Sequence, residues 1–330
     1  MKLIINIPAY NEEAKIAETI QRIKRSFEAD FYRTGHGSVL TEKHIQVVDD
    51  GSTDATATIA KEAGADIVIS YKPNRRLAYS FKRAVESSLE NGADFMVNID
   101  ADGQFDPNDI PKLLSPVIEG KQDIVIANRF GNIEAKNIPW IRSFLNRFAA
   151  SMIGYFLNVR IDDLTCGFRA HSRETLLRLN LANTNFTYTQ ETIIDAIGKN
   201  LKLLWVPIEV HYFADREPKI TKSLFKFVSN GFKIIIKAVR DVRPMKFFGI
   251  PGFLLIGIAL TLFVVFLGLY IQDFKISPYR NYLFFSAILF IVGLQFVVFA
   301  LLADMVKSNR LLVEEQLFLS KKHLYRKKSH

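Results

Sequence analysis

An α/β fold, with a mainly parallel sheet covered by helices and a two-helix membrane hairpin near its C-terminal end, is predicted by three observations. Short β-branched runs alternate with helical stretches over residues 2–127, which is the pattern of parallel βα units. Acid-rich turns follow several of those runs, at Asn11-Glu-Glu13, Asp49-Asp-Gly-Ser-Thr-Asp54 and Asp100-Ala-Asp102. Two long uncharged apolar stretches occupy residues 247–271 and 281–303.

Taken in order, residues 2–7 read as a strand stopping at Pro8, followed by an amphipathic helix to about Phe27 with acidic residues in its first turn. Residues 28–44 are mostly polar and contain Gly35-His-Gly37, so a loop is expected there. Ile45-Gln-Val-Val48 is the second strand, and Ser52 or Thr53 can cap the helix after it. Residues 66–70 give a third strand, 75–89 a helix, 95–99 a central strand and 123–127 another. Beyond Pro139 come a helix with Arg142, Asn146 and Arg147, a turn at 162–170, a helix holding Tyr188-Thr-Gln-Glu191, and a strand pair interrupted at Pro207. Residues 225–242 mix aromatic and aliphatic residues with lysines, as a helix lying along a membrane would.

Each apolar stretch is long enough to cross a hydrocarbon core as a helix. Only residues 272–280 join them, so both soluble ends are expected on one side. Lys233, Lys237, Arg240, Arg243, Lys246, Lys307, Arg310, Lys321, Lys322, Arg326, Lys327 and Lys328 flank the hairpin, against Lys275 and Arg280 in its loop, and that asymmetry predicts a cytoplasmic side. The start of the chain is too short before its first motif to read as a signal peptide. The net charge of +9 gathers beside the spans, which favours an anionic membrane surface over nucleic acid as partner. One cysteine, Cys166, cannot form an internal disulfide and is read as packing.

The stretch Asn98-Ile-Asp-Ala-Asp-Gly-Gln-Phe-Asp-Pro107 carries the most chemistry. It sets Asp100 and Asp102 just past a strand's carboxyl end, where open parallel sheets bind ligands. Two carboxylates at that spacing can share one divalent ion, and a metal-bridged diphosphate is the natural guest.

With Pro8-Ala-Tyr-Asn-Glu12, Val48-Asp-Asp-Gly-Ser-Thr-Asp54, Asp100-Ala-Asp-Gly-Gln104 and Cys166-Gly-Phe-Arg169 in that order, the chain resembles the family 2 inverting glycosyltransferases, in particular the polyprenyl-phosphate branch that includes dolichyl-phosphate mannose synthases and bacterial polyprenyl-phosphate glucosyltransferases. The resemblance implies a GT-A-type, Rossmann-like mixed sheet with helices on both faces, interfacial helices and the membrane hairpin. It implies a catalytic domain over 1–222, an interfacial helix over 223–246, spans at 247–271 and 281–303, and a basic cytoplasmic tail over 304–330.

By the same resemblance, Pro8, Tyr10, Glu12 and Asp50 look like the nucleotide pocket, with Asp100 also facing the donor. Asp100, Asp102 and Gln104 look like the site for Mg2+ or Mn2+. Arg129, Arg142 and Arg216 match positions that hold phosphates, joined on the acceptor side by Thr221 and Lys222, and Asp163 lies where the family sets an acid near the reacting centre. Arg169 is expected to pair that acid. Two departures stand out: Arg75-Arg-Leu-Ala-Tyr79 is bulkier than the usual glycine-containing stretch, and Arg216-Glu-Pro-Lys-Ile-Thr-Lys222 lacks the usual glycine. The implied reaction is inverting transfer of glucose or mannose from a UDP- or GDP-sugar to a membrane polyprenyl phosphate, by a multi-pass membrane protein, with a homo-oligomer left open. A hydroxyl acceptor, or non-catalytic nucleotide-sugar binding, remains the alternative.

Overall fold

The computed structural model describes residues 1–131, 140–180, 188–210, 236 and 239–326, with backbone only for 140–146 and 273. Residues Met1–Val228 and Glu314–His330 form one compact unit, and Ser229–Val313 a second.

The first unit is built on seven strands: β1 (Lys2–Ala9), β2 (Glu42–Asp49), β3 (Ile67–Ser70), β4 (Phe95–Asn98), β5 (Ile124–Asn128), β6 (Arg169–Ser172) and β7 (Leu203–Pro207). Their order is β3-β2-β1-β4-β6-β5-β7. All neighbouring pairs are parallel except those of β6, which runs antiparallel to β4 and β5. Leu3, Ile4, Ile5 and Ile7 of β1 are all fully buried, as a central strand covered on both faces requires.

Helices α1 (Ile16–Ser26), α2 (Thr56–Glu62), α3 (Leu77–Glu90), α4 (Ile110–Ile118), α5 (Trp140–Leu157), α6 (Arg173–Arg178) and α7 (Tyr188–Gly198) connect and flank the strands. In α4, Ile110, Leu113, Leu114 and Val117 are buried at helical spacing, and a 3-10 turn over Pro107–Asp109, capped by the Asp106 carboxylate, leads into it. The loop expected over 28–44 contains two 3-10 turns, Asp30–Tyr32 and Gly35–Val39.

Three expectations change. The stretch at 203–211 is one strand, with a single antiparallel bridge from Phe105 to Val210 beyond it. Helix α2 has Ala55 at its N-cap without a side-chain cap, because Ser52 bonds to Asp49 and Thr53 to Asn11 instead. The third concerns the tail, below. The interfacial helix over 223–246 lies largely outside the described residues.

In the second unit, α8 (Ile250–Asp273) follows a π-helical turn over Met245–Gly249, and α9 (Arg280–Leu324) runs back after a short turn. Met245–Gln272 and Ser277–Leu324 are each long and apolar enough to cross a membrane. Phe253, Leu254, Val264 and Ile291 stand exposed on them, which suits lipid and not a water-soluble core. At Gly252 and Gly293 the two helices approach so closely that an added Cβ would meet the other backbone at 2.9–3.0 Å.

Helix α9 does not stop where its apolar stretch ends. Where a separate basic tail is expected from residue 304, the helix continues through Leu324, since residues 304–324 contain neither Gly nor Pro. Its last turns pack within the first unit. Phe318 is 5% exposed in a cluster with Phe81, Leu176 and Tyr188, and the Arg178 guanidinium lies 4.0 Å from its ring centre. Lys321 Nζ donates to Leu179 O and Asn180 Oδ1, each at 2.9 Å, and Arg178 pairs with Glu315 at 3.3 Å. Phe318→Ala should therefore lower stability by about 3 kcal/mol, read as an earlier thermal unfolding midpoint of the full chain in detergent; an unchanged midpoint would remove Phe318 from the core.

Candidate functional site

The turn over residues 100–104 is held from below by one face of α1 and its first turn. Lys15 Nζ donates to Asp102 O at 3.4 Å, Thr19 Oγ1 to Ala101 O at 2.9 Å, and an Arg22 guanidinium N–H to Gly103 O at 3.2 Å. Three successive carbonyls are thus taken, which leaves the carboxylates of Asp100 and Asp102 as the turn's candidate ligand oxygens. Asp102 Oδ1 also accepts the Gln104 N–H at 3.1 Å, while the Gln104 side chain makes no hydrogen bond among the described residues.

Burial first, and then the neighbouring Asp102, push the Asp100 carboxyl up to about 7. Gly167 closes against it: a Cβ there would lie 3.0 and 3.3 Å from its two oxygens. Two mutually repelling carboxylates, one packed against backbone without a side chain, fit a divalent cation. Among the described residues no cluster of three or more acidic, His or Cys groups completes a cage. A cation here would take its other ligands from diphosphate and solvent, as Mg2+ commonly does.

The loops after β1 and β2 are laced together. The Asn11 N–H donates to Ser52 Oγ at 2.9 Å, Glu12 N–H to Thr56 Oγ1 at 2.9 Å, and the Ala55 N–H to Glu13 Oε2 at 3.1 Å. The adjacent acids Asp49 and Asp50 separate in role. Asp49 is buried, accepting from Ser52 and, at 2.6 Å, from Ser70 Oγ of β3. Asp50, also buried, accepts the Arg75 N–H at 2.8 Å. Pro8 is half-buried near the end of β1, Tyr10 is 47% exposed and Glu12 is half-buried, and the Asp50 N–H donates to Ala9 O at 2.9 Å, which brings the ends of β1 and β2 together.

On the other side, Arg129 stands just past β5. Its Nε and a terminal nitrogen hold both oxygens of Asp163, at 2.8 and 3.0 Å, and the terminal nitrogen also reaches Thr165 Oγ1 at 2.5 Å. Asp163 is fully buried and further accepts the backbone N–H groups of Thr165 and Cys166 at 3.0 and 3.2 Å. Trp205 Nε1 of β7 fixes this turn by donating to Asp163 O at 2.9 Å.

The partner expected for Asp163 was Arg169, but Arg169 belongs to β6 and turns its Nε to Cys166 O at 2.8 Å. Its terminal nitrogens find no partner among the described residues, and burial holds its pKa below the ordinary range. Burial pushes the Cys166 thiol up to about 12, which keeps it an inert packing group. A cavity of about 560 Å3 opens beside the pair, lined by Asn128, Phe130, Arg147, Tyr155, Arg160 and Asp162 among others.

The Arg142 side chain, and Arg216, Thr221 and Lys222, lie outside the described residues. Lys15, Thr19, Arg22, Thr165 and Trp205 are contributors that the motifs do not announce. The spacing of Lys15, Thr19 and Arg22 on one helix face is a usable signal, whereas Trp205 could be found only with the strand order in hand.

The raised Asp100 carboxyl gives a sign to pH dependence. The folded chain holds this proton more tightly than the unfolded chain, so without metal its contribution to stability declines as pH rises from about 4 to about 7. In chelator, denaturant unfolding over that window should show the decline in the parent and its loss in Asp100→Asn; parallel profiles would contradict it.

The Glycosyl transferase family 2 model matches residues 4–179, more than half the chain. An uncharacterized protein of Methanocaldococcus jannaschii is 32% identical over 72% of this chain and 91% of its own length. The polyprenol monophosphomannose synthase of Mycolicibacterium smegmatis is 28% identical over 73% of this chain and 91% of its own. A crystal structure of glucosyl-3-phosphoglycerate synthase from Mycobacterium tuberculosis, with Mn2+, UDP and glucosyl-3-phosphoglycerate, shares the fold at a TM-score of 0.52 and 20% identity, over 72% of this chain and 78% of that one. The chain belongs to glycosyltransferase family 2, with a GT-A-type catalytic fold.

Proposed function

We propose that this glycosyltransferase moves a sugar, glucose or mannose first among candidates, from a UDP- or GDP-sugar to a membrane polyprenyl phosphate, with inversion at the anomeric carbon. The observation that carries the reading is the pairing of Asp163 with Arg129. A fully buried carboxylate whose two oxygens take the Nε and one terminal nitrogen of a guanidinium is committed to holding that cation in place. A hydroxyl acceptor needs a base, whereas a phosphate monoester is largely dianionic at neutral pH and needs cations to orient it. The two membrane-crossing helices and the polyprenyl-phosphate-linked relative support the same acceptor class.

In this reading Pro8, Tyr10, Glu12 and Asp50 hold the nucleotide. Asp100 and Asp102, with Gln104, hold Mg2+ or Mn2+, which when bound offsets charge on the departing diphosphate. Lys15, Thr19 and Arg22 keep the turn's carbonyls away from the donor. Arg129, kept rigid by Asp163 and Thr165, orients the acceptor phosphate at the carboxyl end of β5, with Arg142, Arg216, Thr221 and Lys222 on the acceptor side. Gly131 and Arg147 border the neighbouring cavity, whose two arginines, Arg147 and Arg160, suit an anionic headgroup. The cations flanking the hairpin favour a cytoplasmic catalytic unit.

The test is transfer of radiolabelled sugar from a panel of UDP- and GDP-donors to short-chain polyprenyl phosphate. Product labile to mild acid should form with Mn2+ and fail in chelator, and Asp102→Ala should lower turnover at least about 100-fold. Arg129→Lys should raise the KM for the lipid phosphate while leaving donor KM near the parent's. Donor binding without lipid product from any donor would sink the reading.

A further inference from the structure

One row of buried polar side chains crosses the sheet directly beneath the candidate site. Gln46, Asn6 and Asn98 are register partners on β2, β1 and β4, and each is at most 1% exposed. Gln46 Nε2 donates to Asn6 Oδ1 at 3.0 Å and to Ala84 O at 3.2 Å. Asn6 Nδ2 donates to Asn98 Oδ1 at 2.6 Å. Asn98 Nδ2 then spends both its hydrogens outside the sheet, on Gly167 O and on the Tyr188 hydroxyl oxygen, each at 3.0 Å.

Buried amides in strand interiors are costly unless fully satisfied, and an apolar row would pack the same sheet more cheaply. This row ends on Gly167, which packs against the Asp100 carboxylate, and on Tyr188, whose hydroxyl lies near it. The point where a Gly167 Cβ would sit is 3.0 Å from Asp100 Oδ1 and 3.1 Å from the Tyr188 oxygen. The Tyr188 oxygen accepts from Asn98, and among the described residues its own hydrogen finds Gly167 O, at 3.5 Å. Tyr188 is 1% exposed, its ring stacked on Phe81 at 4.5 Å between centres. That ring cannot swing freely.

We infer that Asn98 and Tyr188 are positioning residues for the Asp100 carboxylate: the amide row fixes Asn98, Asn98 fixes the Gly167 carbonyl and the Tyr188 hydroxyl, and these two hold Asp100 at a set distance from the turn that carries Asp163. The relay thereby sets the spacing between the donor-side carboxylates and the Arg129–Asp163 pair. This rests on the metal-site reading above but not on the identity of the acceptor.

The test reads Mn2+ binding directly, by titration calorimetry of the full chain with saturating UDP at pH 8, beside the thermal midpoint. Tyr188→Phe keeps the ring and removes the hydroxyl, and should weaken Mn2+ about ten-fold with little change in midpoint. Asn98→Ser, too short to reach both partners, should weaken it by a similar factor. Phe81→Leu thins the stack against the same ring and should lower the midpoint while leaving Mn2+ affinity at the parent value, because Asn98 still holds the hydroxyl. Parent-like Mn2+ affinity in both Tyr188→Phe and Asn98→Ser would overturn the inference, as would an equal loss in Phe81→Leu. Absence of Mn2+ binding in the parent would instead overturn the metal site itself.

Discussion

β6 enters the sheet antiparallel between β4 and β5, and its reversal forces the turn at residues 162–168 to arrive at the edge where β4 and β5 end. Without that strand, Asp163 would have no route to Arg129, and Gly167 none to Asp100. The remaining geometry follows from it. β4 delivers Asp100 and Asp102, β5 delivers Arg129, and the turn before β6 closes the space between them. Trp205 on β7 then ties the turn down from the far side.

The site is held by charges and amides that the interior tolerates only in complete arrangements. A buried ion pair is weak evidence for stability, because desolvation offsets most of its Coulomb attraction. Its value in the Arg129–Asp163 case is direction: two parallel hydrogen bonds fix the plane of the guanidinium, and Thr165 fixes one edge of it. The turn at 100–104 is rigid for a related reason, since α1 takes up its carbonyls one after another. Arg169, with only its Nε engaged among the described residues, and Gln46, whose Oε1 has no partner there, are exceptions.

Much of this was readable from the chain. Apolar runs followed at once by acids gave β1, β2 and β4 and the carboxylates at their ends, because a strand buried on both faces must be apolar and must stop where polar groups reach water. The two long apolar helices were legible from length and composition alone. β6 was not: Arg169-Ala-His-Ser172 is short, polar and lacks alternation, and its burial comes from strands distant in sequence on both sides, β4 and β5. The Asn6, Gln46 and Asn98 amides look like blemishes in apolar strands until the register lines them up. Asp49 and Asp50 look equivalent until β3 claims the first. The continuation of α9 was concealed by its charges, which read as a solvated tail because nothing local shows that Phe318 has a pocket waiting for it.

That pocket has a consequence for how the protein is made. Val228 ends the contiguous part of the first unit, and Phe318 comes roughly 90 residues later, beyond the whole of the second. At ordinary elongation rates of roughly 5–20 residues per second, the ribosome needs on the order of five to twenty seconds to add that segment. During this interval the nascent sheet is complete but the cluster around Phe81, Leu176 and Tyr188 lacks its last side chain. The last side chain of that cluster is therefore added only after the apolar hairpin has been synthesised, so the final packing of the catalytic unit follows the hairpin in time.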